Sequence, residues 1–195
     1  MGANHIARVD PKLRRLVKKH GPIEFTTEDD PFESLVKSII FQQLNGRAAT
    51  LIFEKLKALL AAEVIDAPSL HKLPVSSLRK VGVSPQKICY LRDLSSKVVR
   101  GKLNLEDLKN MPDDEIIQIL DEVKGIGPWT AHMFLLFTLG RPDVLPIDDL
   151  GIRTSIRKVY SLRQLPDGKR IRKIAKKWHP YCSVASLYLW HSKDA

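Results

Sequence analysis

Apolar residues recur along this chain at helical spacing, and no segment alternates convincingly between apolar and polar, so the pattern predicts an all-α protein. Leu35, Ile39, Ile40 and Leu44 form one stripe; Leu51, Ile52, Leu56, Leu59 and Leu60 form the next. They predict two helices broken around Asn45-Gly46, and the second stops at the turn signal Asp66-Ala67-Pro68-Ser69. Further on, the acids of Pro112-Asp113-Asp114-Glu115 open a helix whose stripe is Ile116, Ile117, Leu120 and Val123. A glycine-rich turn, Lys124-Gly125-Ile126-Gly127, leads to Pro128 and a second helix running to Leu139, apolar almost all round and therefore deeply buried. The hairpin spans about residues 114–139. Residues 143–147 are too short and proline-broken for a helix and carry Asp148 and Asp149 into the next one. The segment from Leu78 to Lys87, with Gly82 and Pro85, reads as a degenerate copy of the same turn.

A chain of 195 residues, 44% hydrophobic, fits one globular domain or two small lobes sharing a core. Its formal net charge of +10 suits a polyanionic partner. The charge is concentrated: from Arg153 to Lys177 there are ten Lys or Arg against the single acid Asp167. A solvated helical face is the ordinary alternative for such a run. With only Cys89 and Cys182, a cysteine-rich metal centre is excluded and a disulfide framework is not expected, which points to a reducing compartment. Neither a signal peptide nor a membrane-length apolar run is visible.

The turn supplies the first candidate chemistry. Two glycines flanking one apolar residue allow a tight turn and a close backbone approach to a ligand. Pro128 opens a helix whose N-terminal amides and dipole favour an anion, so Gly125, Ile126, Gly127, Pro128 and Thr130 are candidate phosphate-binding positions.

The run Val123 to Ala131, with Asp149 in Leu145-Pro146-Ile147-Asp148-Asp149-Leu150-Gly151, resembles the helix-hairpin-helix of the DNA glycosylase superfamily with its Gly-Pro-Asp signature. Ser38 to Ala49 and Trp178 to Ala185 resemble its 3-methyladenine DNA glycosylase II branch, and the resemblance spans roughly residues 30–190. It implies two interlocked helical lobes with a DNA-binding cleft between them, one glycosylase domain over 1–195, and none of the extra N-terminal β domain of some relatives. The implied activity is hydrolysis of the N-glycosidic bond of alkylated purines in double-stranded DNA, by a monomer working in the cytoplasm at the nucleoid, or in the nucleus of a eukaryote, with no membrane involved. The rival readings are a binder of abasic or distorted DNA without the chemistry, and a plain helix-hairpin-helix module of a larger complex.

At the junction of loop and helix Asp149 has an ordinary reading as an N-cap; by the resemblance it is the catalytic carboxylate, which leaves the local cap to Asp148. Glycosidic cleavage builds positive charge on the sugar, and a carboxylate at ~4 Å with an effective dielectric of ~20 supplies ~4 kcal/mol, or ~10³ in rate. An alkylated purine is already cationic and leaves readily, so no general acid is required. His132 and His179 are possible helpers, although a helical histidine is more often structural. Trp129 stands where bifunctional relatives carry a Schiff-base lysine, and Lys124 lies on the other side of the hairpin, so a monofunctional enzyme is expected. Trp129, Trp178, Met133 and Phe41 are the implied base pocket, with Met133 replacing a tyrosine of some relatives; Trp190, inside an apolar run, reads as core.

Gln42, Gln43, Leu44 and Asn45 match the loop whose side chain fills the gap left by a flipped nucleotide, and which of the last three intrudes is open. For Gln42 the equal alternative is a helix-end amide satisfying backbone groups. Arg153 and Arg157, nearest Asp149 on one helix, are the expected phosphate contacts of the basic run, whereas Lys176 and Lys177 are expected to face solvent. The resemblance also implies a structural Na+ or K+ on the main-chain carbonyls of Asp121, Val123 and Ile126. No other cofactor is expected; in particular, the four cysteines of the iron-sulfur branch are missing.

Overall fold

The computed structural model describes residues 1–23, 27 and 30–192, and among these there is no β-strand. Twelve α-helices are described. They are α1 (Gly2–Val9), α2 (Pro11–His20), α3 (Pro31–Phe41), α4 (Gly46–Lys57), α5 (Ala67–Lys72), α6 (Val75–Lys80), α7 (Pro85–Val99), α8 (Asp113–Asp121), α9 (Pro128–Phe137), α10 (Leu150–Tyr160), α11 (Gly168–Ala175) and α12 (Cys182–His191). No described helix is long and apolar enough to cross a membrane. The break expected at Asn45-Gly46 falls between α3 and α4, and α9 ends two residues before Leu139.

Local chemistry explains the starts. Asp10, Asp30 and Ser84 each precede a proline, and each side chain accepts an amide hydrogen bond two or three residues on, so cap and pre-set φ act together. Asn45, Asp66 and Asp167 cap α4, α5 and α11 in the same way.

Contacts divide the chain into two compact units, residues 28–134 and residues 1–27 with 135–195. In the contiguous unit α7 packs against α3, α5 and α6, and Leu91 and Leu94 on α7, Leu35 and Ile39 on α3, Leu70 on α5 and Leu78 on α6 are buried. In the discontinuous unit α2 and α12 pack together and each meets α1 and α10. Its core cluster joins Ile6 and Leu13 to Ile152, Ile156, Ile171, Ala175, Trp178, Ala185 and Leu189.

Asp10 fastens this second unit. Fully buried, it gives Oδ1 to the Lys12 and Leu13 amides, while Oδ2 accepts from the Tyr160 hydroxyl, from Trp178 Nε1 at 2.9 Å and from Lys177 Nζ at 3.1 Å. Burial by itself raises the Asp10 pKa, but the donors from Trp178, Tyr160 and Lys177 outweigh it and hold the carboxyl below its ordinary value. This carboxylate therefore stabilises the fold above the ordinary carboxylate range and loses that contribution as pH falls through its depressed pKa. Lys177 is exposed, as expected, and also forms an ion pair with buried Asp10. One expectation changes here. Trp178 has no exposed surface and spends its N–H on Asp10, so it is a core residue and not a liner of an open base pocket.

Candidate active site

The hairpin turn is held from three sides. Gly125 sits at φ +82°, and a Cβ there would stand 2.1 Å from the ring of Tyr90, so only glycine fits. Its carbonyl accepts from Gln42 Nε2 at 2.7 Å, and the neighbouring Lys124 amide donates to Asp93 Oδ2 at 2.9 Å. Within the turn, Val123 donates to the Leu120 carbonyl and Ile126 to the Val123 carbonyl, both at 3.0 Å. Gly127 differs from Gly125: its φ is not positive, and a Cβ on it would meet no protein atom within 4 Å. Pro128 is exposed. Ile126 and Thr130 are buried, so a ligand reaches them through backbone groups and not through their side chains.

Sequence patterning did not single out the α7 residues that carry the hairpin. Gln86, Tyr90, Asp93 and Lys97 recur at helical spacing, a polar stripe beside the apolar Ile88, Leu91 and Leu94, and that stripe was the available signal. Lys87, also on α7, sends Nζ to the carbonyls of Ile40 and Gln42 at 2.7 Å each, and so places a cation at the C-terminus of α3. Partial burial lowers the Lys87 pKa.

The loop after α3 is pinned by these contacts and exposes its tip. Gln42 satisfies a backbone group, but that group belongs to the hairpin. Asn45 Oδ1 caps α4 through the Ala48 amide at 2.9 Å, which engages that side chain. Gln43, at φ +55°, and Leu44, 40% exposed, form the tip. Phe41 is half-buried and meets Phe53 edge-on at 6.4 Å. On α9, Trp129 is 44% exposed and Met133, one turn on, is half-buried.

The other unit holds the candidate carboxylate. Asp149, not Asp148, caps α10: Oδ1 accepts from the Ile152 amide at 2.7 Å, and Asp148 is exposed. The cap falls to Asp149 because the helix begins at Leu150, which makes Asp149 the residue with the N-cap backbone. The same Oδ1 accepts from Trp190 Nε1 at 2.9 Å, and the Trp190 ring lies 5.8 Å from that of Phe137, tilted by 31°. Trp190 is thus a positioning residue for the carboxylate and not only core. Two donors on one oxygen fix the orientation of the charge. Arg153 Nε donates to the Pro166 carbonyl at 3.1 Å and ties down the loop before α11, whereas Arg157, one turn on, is exposed. His179 Nδ1 lies at hydrogen-bond distance, 2.7 Å, from Asp143 Oδ2.

Residues 36–180 match the family model for the HhH-GPD superfamily base excision DNA repair protein. The chain belongs to that superfamily. It is 31% identical over 191 residues to DNA-3-methyladenine glycosylase 1 of Schizosaccharomyces pombe, covering 95% of this chain and 84% of that protein. A solved structure of the 3-methyladenine DNA glycosylase of that yeast in complex with abasic DNA superposes with a TM-score of 0.88 at 29% identity, over 100% of this chain and 97% of the other. A DNA-3-methyladenine glycosidase of Bacillus halodurans gives 0.86 at 35% identity, over 96% and 86%. Against these HhH-GPD relatives the all-α architecture and the hairpin are family features.

Proposed function

We propose that this HhH-GPD protein is a monofunctional DNA glycosylase that hydrolyses the N-glycosidic bond of alkylated purines of the 3-methyladenine type in double-stranded DNA. The product is an abasic site, which begins base excision repair. The observation that carries the reading is Asp149, a carboxylate with one oxygen held by the Ile152 amide and the Trp190 indole. As the bond between C1′ and the base nitrogen breaks, the pair of electrons leaves with the base and positive charge grows on the sugar. A carboxylate of fixed orientation stabilises that charge without reorganising, and water completes the substitution at C1′, losing its proton to solvent.

The supporting parts act on binding. Exposed Trp129 offers an indole face to a cationic base and no amine for lyase chemistry. The hairpin amides from Gly127 onward suit a phosphate, and the exposed loop tip of Gln43 and Leu44 suits the gap left by an extruded nucleotide. For the family's alkali ion the hairpin is a fitting place: the C-terminal carbonyls of α8 at Asp121, with those of Val123 and Ile126, are hard oxygen donors at the negative end of a helix dipole. Bound there, the ion would add positive charge near the phosphate site. The protein's place of work is wherever the DNA lies, the nucleoid or the nucleus.

The test is base release from duplexes carrying 3-methyladenine, 7-methylguanine, ethenoadenine, hypoxanthine or uracil, with wild type beside Asp149→Asn, and with borohydride in parallel reactions. Release of an alkylated base by the wild type, its loss in Asp149→Asn with abasic-DNA affinity within a few-fold, and no trapped adduct are expected. Near-wild-type single-turnover rates in the variant overturn the role of Asp149. A wild type that binds abasic DNA and releases no base overturns the enzymatic reading.

A further inference from the structure

Away from Asp149 and the hairpin, three side chains of metal-ligand type converge where the loop after α9 meets the start of α12. Asp143 Oδ2 lies 2.7 Å from His179 Nδ1; Cys182 Sγ lies 3.7 Å from His179 Nδ1 and 3.9 Å from Nε2; and one ligand atom from each residue lies within 4.8 Å of the others. Cys182 is buried and in no disulfide, and the His179 side chain beside it is 54% exposed. We propose that Asp143, His179 and Cys182 form a site for one borderline-soft divalent cation of the zinc type.

Geometry and ligand chemistry both bear on this. Zinc bonds of ~2.3 Å to sulfur and ~2.0–2.1 Å to nitrogen or oxygen put tetrahedral neighbours ~3.3–3.6 Å apart. The sulfur-to-nitrogen distances already match to within a few tenths of an ångström. The carboxylate-to-imidazole distance has to open by about half an ångström, exchanging one hydrogen bond for two metal bonds. Asp143 Oδ1 keeps its own task, accepting the Cys182 amide at 3.1 Å, so the carboxylate is already oriented by a neighbour. The set of thiolate, imidazole and carboxylate suits zinc or cobalt and not magnesium or calcium, which take oxygen ligands alone. On binding, the Cys182 thiol and the imidazole nitrogen that binds the metal give any proton they carry to solvent, and water fills the fourth position on the exposed side.

The place gives the cation a purpose. The start of α12 is already sewn to the loop: the Ser183 amide donates to the Pro142 carbonyl, Ser183 Oγ to the Arg141 carbonyl and the Val144 amide to Ser183 Oγ. That loop continues to Asp149, and the far end of α12 holds Asp149 through Trp190. A metal at the near end would bolt together the two segments that position the carboxylate.

The probes are Co²⁺ and Zn²⁺ added to the purified full-length protein after chelation. Wild type is expected to take up one Co²⁺ per chain, with a thiolate-to-cobalt charge-transfer band and the visible bands of tetrahedral cobalt, and to melt at rising temperature as Zn²⁺ is raised. Cys182→Ser is expected to lose the charge-transfer band, and His179→Ala, an exposed change that keeps the fold, to bind cobalt at least tenfold more weakly and to lose the zinc-dependent shift. Cys89→Ser is the control that keeps every signal. Binding only at millimolar metal, or a band that survives in Cys182→Ser or disappears in Cys89→Ser, overturns the site.

Discussion

The unit of residues 28–134 uses one local design twice. Residues 75–99 and 113–137 each run helix, glycine turn, proline, helix, with the turn glycine at φ +98° in Gly82 and +82° in Gly125. They differ at the residue before the proline. Ser84 turns its hydroxyl to the Lys87 amide, whereas Gly127 has no side chain to offer α9. They differ also in direction of service. The first hairpin faces inward: Lys87 holds two carbonyls around the end of α3, and Tyr90 and Asp93 support the turn of the second. The second takes that support, and the residue before its proline has no side chain with which to cap α9. One copy serves as scaffold for the other, and the side chain that the second copy leaves out is what suits it to the proposed phosphate contact.

The comparison can be broken most forcefully at the two turn glycines. Gly125→Ala combines a positive φ with a Cβ driven into the Tyr90 ring, and is expected to cost about 3 kcal/mol or more in urea unfolding. Gly82→Ala meets only the Ile52 side chain, Cγ1 at 3.2 Å and Cδ1 at 3.5 Å, and is expected to cost about 1–2 kcal/mol. Equal losses would contradict the division of labour. Next in size, Lys87→Met removes two charge-assisted hydrogen bonds from part-buried carbonyls and is expected to cost about 1–3 kcal/mol, with weaker binding to abasic DNA because the Gln42 loop loses its anchor. Unfolding midpoints together with binding isotherms check this, and an unchanged affinity separates the loop from DNA binding. The smallest effect on stability sharpens the comparison most. Gly127→Ser gives the second hairpin the cap of the first and is expected to change stability by no more than about 1 kcal/mol, while DNA affinity falls several-fold for every sequence alike. Undiminished affinity would mean that these amides are not the phosphate site.

The helices and hairpin were legible because they rest on local signals: stripe, cap and proline, glycine turn. What could not be read was which partner a side chain meets across the sequence. Trp178 stands between Lys177 and His179 after α11, and Trp190 in the apolar run of α12; one donates to Asp10 and the other to Asp149, and no spacing rule identifies a partner 168 or 41 residues away. The salt bridge of exposed Lys177 was hidden in the same way, since it exists only because the chain returns to Asp10. The place of Asp149 at the junction of loop and helix already suits a cap, and the cap is there; a one-residue difference in the start of α10 is what excludes Asp148. At the hairpin, two glycines were visible as a pair, but only the packing of Tyr90 reveals that Gly125 needs its bareness for the fold, whereas Gly127 has open space.

The Asp10 network has a consequence for how the chain is made. Asp10 emerges from the ribosome before its Tyr160 and Trp178 partners, which follow 150 and 168 residues later. At a synthesis rate of ~5–20 residues per second, that interval lasts roughly 8–34 s. Residues 28–134 are complete and contiguous well before it ends, while α1 and α2, with the apolar faces of Ile6 and Leu13, wait for the segment that will cover them. Helices α1 and α2 are thus synthesised well before they can be fastened, and the nascent chain carries their apolar faces uncovered until α10 to α12 arrive.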